Sequence, residues 1–245
     1  MAKVQRNAAQ GLLIAVLVYS AWLSHLVYWL AADLRSIAWP WIVLALFVQT
    51  WLYVGLFITA HDAMHQAVAP GRRKTNLWVG RIAVLSYALF SFDKLLRRHG
   101  LHHSFPAGDR DPDFHDGIHT TPLRWYVHFM LHYLTLLQLI GMAVLFNLLQ
   151  HVAGVALENL LILWVTPALL STWQLFYFGT YLPHRLPRGG YQPPHCAVSS
   201  NYPVWLSLLT CYHFGYHLEH HQQPTVPWWR LPAWKAKSGK NQNPL

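Results

Sequence analysis

Eight of the chain's 17 histidines fall into three short clusters, and their spacing is suited to metal chemistry. The clusters are H-D-A-M-H (His61, His65), H-G-L-H-H (His99, His102, His103) and H-L-E-H-H (His217, His220, His221). Because residues three and four apart share one face of an α-helix, each cluster predicts imidazoles that project together. Neutral imidazole is the commonest metal-ligating side chain, and eight are too many for one ion. The spacing therefore predicts a site for two metal ions.

His184, in the string Y-L-P-H-R, follows a long apolar segment and is predicted as a ninth ligand. A nine-histidine set differs from the Glu and His sites of soluble di-iron helix bundles. Zinc is the alternative metal, but structural zinc sites close with four ligands and usually include thiolates. Many imidazoles with open positions favour a redox metal that binds O2, and iron suits this donor set.

Three aspartates are candidates for orienting these histidines, because a carboxylate that accepts the far ring N–H of a ligand fixes its tautomer. They are Asp62, Asp111 and Asp113. A solvated turn remains the alternative for these three, and it is the favoured interpretation for Asp109 and Asp116. Glu219 lies between ligands of the third cluster, so we expect it to face away from them and to be structural.

Long apolar segments must position these side chains. Only 11% of the residues are charged, whereas soluble domains carry about 25%. The uncharged runs are long enough to cross a hydrocarbon core of about 30 Å. The predicted spans are 11–32, 41–60, 127–150 and 159–180, with a kink at Pro167 in the last. Shorter apolar pieces are predicted at 82–92, as a re-entrant or interfacial hairpin, and at 203–212.

The sequence thus predicts one all-α, integral membrane domain over residues 1–245, with about four transmembrane helices, interfacial helices and a polar tail from about residue 235. Basic residues lie before the first span, between the second and third, and after the fourth, whereas the other two loops contain only Arg35. The positive-inside rule places both termini and all the clustered histidines on the cytoplasmic side. Trp228 and Trp229 are predicted interfacial anchors. The net charge of +9 follows this membrane bias, so no nucleic-acid partner is predicted.

The sequence lacks the motifs of common redox cofactors. Two cysteines exclude a disulfide framework and an Fe–S cluster held by four thiolates of this chain. It contains no C-x-x-C-H for haem and no G-x-G-x-x-G for a dinucleotide. Reducing equivalents are therefore expected from a separate donor.

The three clusters resemble the histidine motifs of the membrane fatty-acid desaturase/hydroxylase superfamily. Strings such as L-F-I-T-A-H-D-A-M-H, D-P-D-F-H, F-G-T-Y-L-P-H-R and S-L-L-T-C-Y-H-F-G-Y-H-L-E-H-H resemble, more narrowly, the bacterial beta-carotene ketolases, from about residue 40 to 234. The resemblance implies two iron ions (Fe²⁺), O2 as co-substrate and an external reductant such as ferredoxin. The implied ligands are His61, His65, His99, His102, His103, His184, His217, His220 and His221.

The same resemblance implies oxidation of C4 of a beta-ionone ring to a ketone. The substrate would be a carotenoid dissolved among membrane lipids: beta-carotene would give echinenone and canthaxanthin, and zeaxanthin would give astaxanthin. The implied location is a bacterial inner or photosynthetic membrane. A carotenoid 3-hydroxylase and a lipid desaturase or hydroxylase would share the metal site, and a metal transporter is the alternative from another class. Contacts of His128, His132 and His213 with metal or substrate stay open.

Overall fold

The computed structural model describes residues 2–187 and 189–241. The regular elements in this part of the chain are all helices, with no β-strand, as the sequence predicts. The helices are α1 (Ala2–Ala31), α2 (Trp39–Met64), α3 (Arg73–Ala88), α4 (Phe92–Ser104), α5 (Pro122–Tyr133), α6 (Leu136–Asn147, continued by a π-helical turn at Leu148–Val152), α7 (Leu157–His184), α8 (Val204–Cys211), α9 (His217–Gln222) and α10 (Leu231–Asn241).

Three of these helices are long and apolar enough to cross a membrane: Val4–Ala31, Trp39–Met64 and Leu157–His184. They confirm the predicted spans at 11–32, 41–60 and 159–180. In the last of them, a π-helical stretch at Leu160–Val165 lies just before Pro167, the predicted kink position. The carbonyls that face a proline lose a backbone donor, and π-helical turns are one way of accommodating that loss.

The predicted third span, 127–150, is not one continuous helix. The chain breaks between α5 and α6, which meet at 89°, so the pair forms a broken span or a re-entrant loop. Leu134 is extended there, and the Thr135 side chain accepts a hydrogen bond from the backbone N–H of Gln138. A threonine cap of this kind starts a new helix. The apolar stretch 82–92 is likewise the second half of α3 with the turn into α4.

Helix α2 is the centre of the bundle. It contacts α1, α3, α7 and α8, and much of its second half is buried. Close approach of the C-terminal segment depends on two glycines. A Cβ at Gly55 of α2 would lie 2.5 Å from the Tyr212 ring, and one at Gly179 of α7 would lie 2.5 Å from the Phe214 ring. Glycine leaves this space free, so the turn after α8 packs into the bundle and carries α9 towards α2 and α4.

Candidate metal centre

The structure brings all nine predicted ligands together at one end of the bundle, in two groups. The five-histidine group contains His61, His65, His99, His103 and His220, and the four-histidine group contains His102, His184, His217 and His221. Within each group, one ring nitrogen per residue lies within 4.8 Å of those of the others. The sequence pattern predicted the nine residues but not how they divide.

Helical geometry explains that division. Neighbouring residues on a helix point about 100° apart, so adjacent histidines face different groups. His102 and His103 of α4 lie in different groups, and so do His220 and His221 of α9. The i,i+4 pair at the end of α2 contributes only to the five-histidine group. Helices α4 and α9 therefore each supply ligands to both groups, through one pair of adjacent histidines.

Ring nitrogens face one another inside each group. In the five-histidine group, His99 Nε2 lies 2.7 Å from His65 Nε2 and 3.1 Å from His103 Nε2. In the four-histidine group, His221 Nε2 lies 3.1 Å from the Nε2 atoms of both His102 and His217. A neutral imidazole carries one N–H and one lone pair, so such converging nitrogens fit a shared cation.

A hydrogen bond to Asp111 fixes the tautomer of His102. Both carboxylate oxygens of Asp111 lie 3.0 Å from His102 Nδ1, and both side chains are buried. The same oxygens accept the backbone N–H groups of Ala107 and Asp113, each at 2.9 Å. Nδ1–H of His102 therefore donates to the carboxylate, which leaves the Nε2 lone pair available inside the four-histidine group.

His184 has a similar arrangement without a carboxylate. Its Nδ1 lies 3.1 Å from the backbone carbonyl oxygen of Cys196 and donates to it. Its Nε2 is buried and has no hydrogen-bond partner, as is also true of both ring nitrogens of His61 and of His217 Nδ1. Buried polar atoms without partners are rare and call for an explanation. A ligated metal ion would supply the partner for His184 Nε2, so the donor set fits the implied metal.

Burial and mutual repulsion keep most of these imidazoles neutral. Burial and the neighbouring histidines lower the pKa of His99, His217, His220 and His221 well below the usual value. They lower the pKa of His103 to about 2. Neutral imidazole is the form that binds metals. These five histidines therefore present ligating nitrogens at neutral pH without a prior deprotonation.

His102 is the exception. Burial lowers its pKa, but the hydrogen bond to Asp111 and the charges of Asp113 and Asp111 outweigh that effect and raise it. Asp113 lies 4.0 Å from His102 Nδ1 and accepts a hydrogen bond from the Tyr133 hydroxyl. Asp113 thus contacts the histidines only at the edge of the site, whereas Asp111 binds one directly.

Asp62 has a different environment from the one predicted. Its carboxylate accepts the backbone N–H of Trp228 at 3.0 Å, and it lies 3.7 Å from His61 Nδ1, too far for a hydrogen bond. Trp228, predicted as an interfacial anchor, packs on the Tyr212 ring. The hydrogen bond from Trp228 to Asp62 joins the C-terminal segment to α2. Glu219 is structural, as expected, because it binds Ser199 and Lys235.

The remaining histidines and aspartates lie outside the two groups. Asp116 is exposed and binds His119, and His128 lies 3.9 Å from the same carboxylate. His128 and His132 line a separate surface cavity with Asp116. His213 is buried and stacks on Tyr216. None of His128, His132 and His213 belongs to the five-histidine or the four-histidine group.

An apolar cavity borders both groups from inside the bundle. It has a volume of about 90 Å³ and reaches His61, His99, His102 and His217. Many of its other lining residues are aromatic, including Phe57, Tyr87, Phe90, Phe129, Phe176 and Phe214. These residues were not predicted from the sequence, because an aromatic side chain inside an apolar helix has no periodic signal that separates a cavity wall from ordinary packing.

Comparison with known proteins identifies related chains over most of this length. The fatty acid desaturase family model matches residues 36–152 and 133–242. A beta-carotene ketolase from Paracoccus sp. (strain PC1) is 42% identical over 232 residues, which cover 94% of this chain and 93% of that protein. A second, from Paracoccus sp. (strain N81106 / MBIC 01143), is 40% identical over 234 residues, with the same coverage. A zeaxanthin 4-ketolase from Chlamydomonas reinhardtii is 40% identical over 239 residues, 93% of this chain and 53% of that protein.

Proposed function

We propose that this chain, which belongs to the fatty acid desaturase family and within it to the beta-carotene ketolases, oxidises C4 of a carotenoid beta-ionone ring to a ketone. The observation that carries the proposal is the pair of all-histidine groups beside an apolar cavity. Beta-carotene would give echinenone and then canthaxanthin. Zeaxanthin would give astaxanthin if the cavity accepts a 3-hydroxyl group.

The reaction converts a ring methylene to a carbonyl in two oxidations at one carbon. The first replaces a C–H bond by C–OH, and the second gives a gem-diol, which loses water to form the ketone. Each oxidation consumes one O2 and two electrons with two protons, and it releases one water. The four electrons come from an external reductant, because the chain contains no flavin, haem or nicotinamide motif.

Two iron ions would be held by the nine histidines, one ion by each group. Bound iron would supply the redox chemistry by which O2 attacks an unactivated C–H bond. Asp111 holds His102 with its Nε2 lone pair facing the four-histidine group, and the carbonyl of Cys196 does the same for His184. These two contacts orient ligands before any metal binds, which reduces the reorganisation that binding requires.

The cavity walls would position the substrate and keep water away. A beta-ionone ring is a hydrocarbon, and burying it against aromatic side chains is favourable by about 25 cal/mol per Å² of apolar surface. The ring can reach His61, His99, His102 and His217 without leaving the bundle, since these residues border the cavity. A lipid-soluble substrate would thus approach the histidines through an apolar cavity.

The surroundings of the site suit a membrane enzyme of the cytoplasmic face. The apolar helices indicate a membrane protein, and we propose a bacterial inner or photosynthetic membrane with both termini in the cytoplasm. The two terminal residues lie outside the described part of the chain. The basic residues of the loops on the histidine side would attract an acidic electron donor such as ferredoxin.

The test is expression in a bacterium that accumulates beta-carotene, followed by chromatography of the pigments. We expect echinenone and canthaxanthin. Purified active protein should contain about two irons per chain, on the ligand-count argument. His102→Ala should abolish the ketones, and His151→Ala, an exposed histidine outside both groups, is the matched control. Zeaxanthin as product would identify a 3-hydroxylase instead, and active protein with zinc and no iron would refute the iron assignment.

A further inference from the structure

A second cavity adjoins the one beside the histidines. It has a volume of about 380 Å³ and lies between two bends of the chain, the turn from α3 to α4 and the break between α5 and α6. Phe90, Leu95 and Tyr133 line both cavities. These three side chains are therefore the wall between an outer cavity and the inner one that touches the metal ligands.

We propose that this outer cavity is the lateral route by which the carotenoid reaches the site, and that it holds the polyene next to the ring under oxidation. The proposal rests on the proposed function. A substrate with one ring in the inner cavity must place the rest of its long chain outside it, and the outer cavity lies directly across the shared wall.

The rim of the outer cavity is suited to a hydrocarbon. Leu89, Leu95 and Leu137 contribute apolar surface to it. Leu137 is 80% exposed on α6, beside Leu136 at 74%. On a helix of the broken membrane segment such leucines would contact acyl chains. A polyene could thus pass from lipid into the cavity without crossing water.

One side of the cavity is rigidly held. The side-chain amide of Gln138 donates to the Ala88 carbonyl at 2.5 Å, which joins the start of α6 to the end of α3. A Cβ at Gly141 would lie 2.8 Å from Leu89 Cδ1, so the two helices are in close contact there. Leu89 itself has a φ of +56°, in the left-handed region, and this conformation ends α3.

The shared wall contains one held and one freer aromatic ring. Tyr133 donates its hydroxyl to Asp113, and the Arg98 guanidinium carbon lies 4.7 Å from its ring centroid. Phe90 is half-buried and has no polar group that could tie it in place. We therefore expect rotation of Phe90, with Tyr133 fixed, to connect the two cavities as substrate enters.

Cysteine protection tests the route without turnover. Leu137→Cys and Leu136→Cys are each made with Cys196→Ser, since the other native cysteine, Cys211, is fully buried. Alkylation by N-ethylmaleimide is followed in detergent with beta-carotene, with phosphatidylcholine or with neither. Beta-carotene should slow alkylation several-fold at position 137, which lines the cavity, and leave position 136 unchanged.

Equal protection at both positions, or none at position 137, would overturn the route. Protection by phosphatidylcholine as strong as that by beta-carotene would also overturn it, because the cavity would then be a general lipid site. A second readout compares the ketone yields of Leu137→Trp and Leu136→Trp in beta-carotene-producing cells. At equal protein and iron content, only Leu137→Trp should reduce the yield. An unaltered chain that makes no ketone refutes the proposed function, whereas equal yields from the two tryptophan variants refute the route alone.

Discussion

Replacement of Asp111 by asparagine tests how the metal site is preorganised. The two Asp111 oxygens accept His102 Nδ1–H and two backbone N–H groups, from Ala107 and Asp113. In Asp111→Asn, one oxygen becomes an NH2 group. Whichever position the NH2 takes, it faces a backbone N–H, so one buried donor loses its acceptor. The carboxylate charge that raises the pKa of His102 is lost as well.

The expected effect is large but incomplete. Hydrogen bonds to a charged group contribute about 1.5–3 kcal/mol, and a buried donor left without a partner costs about 1–3 kcal/mol. Part of this cost falls on the loop rather than on His102, which can still donate to the remaining amide oxygen. Loss of such an outer partner lowers metal affinity or activity by roughly 10- to 100-fold. We expect a decrease in ketone formation within that range.

The assay is the initial rate of ketone formation from beta-carotene, measured together with the iron content over a series of iron concentrations. Asp116→Asn is the matched control, because Asp116 lies on the same loop but is exposed and contacts no histidine of the two groups. It should retain near-normal rates. If Asp111→Asn retained full activity and full iron affinity, the assignment of Asp111 as the residue that orients His102 would be refuted.

Three further outcomes follow from the site and the fold. With limiting oxygen, 4-hydroxy-beta-carotene should accumulate ahead of echinenone, because both oxidations use one site; failure to convert the supplied alcohol to ketone, with oxygen and reductant present, would rule out the stepwise reaction. Gly55→Val should lower the protein's stability in detergent and its iron content, since the new side chain would collide with Tyr212, whereas Gly100→Ala has open space and should not. Reporter fusions at residues 1 and 245 should both report a cytoplasmic location, and a periplasmic C-terminus would contradict the predicted even number of spans.

Eight of the nine histidines were predictable because their spacing carries the geometry. On a helix, three and four residues return a side chain to the same face, so His61 and His65 or His217 and His221 had to project together. The apolar runs were equally informative, since length and lack of charge predict a span whatever its partners. His184 has no such spacing, and its prediction rested on its place just after the last apolar span and on the resemblance to known sequences.

The rest depends on contacts between distant segments, which spacing does not encode. Asp62 and Asp111 both lie near histidines in the sequence, yet Asp62 binds the backbone of Trp228 and only Asp111 binds a histidine ring. The break at residues 134–135 depends on a threonine cap and on Gln138 reaching α3. The residues that line the cavity come from six separate helices and the turns beside them, and no motif marks its aromatic residues.

The division of adjacent histidines between the two groups should couple the binding of the two proposed ions. Helix α9 has only six residues, too few for a stable helix in isolation, and it supplies ligands to both groups. Occupancy of one group would therefore order the backbone that presents ligands to the other, so the two ions would load as a coupled pair with a steep binding isotherm. Substitutions in different groups should then be non-additive, because the first loss already releases the helix on which the second depends.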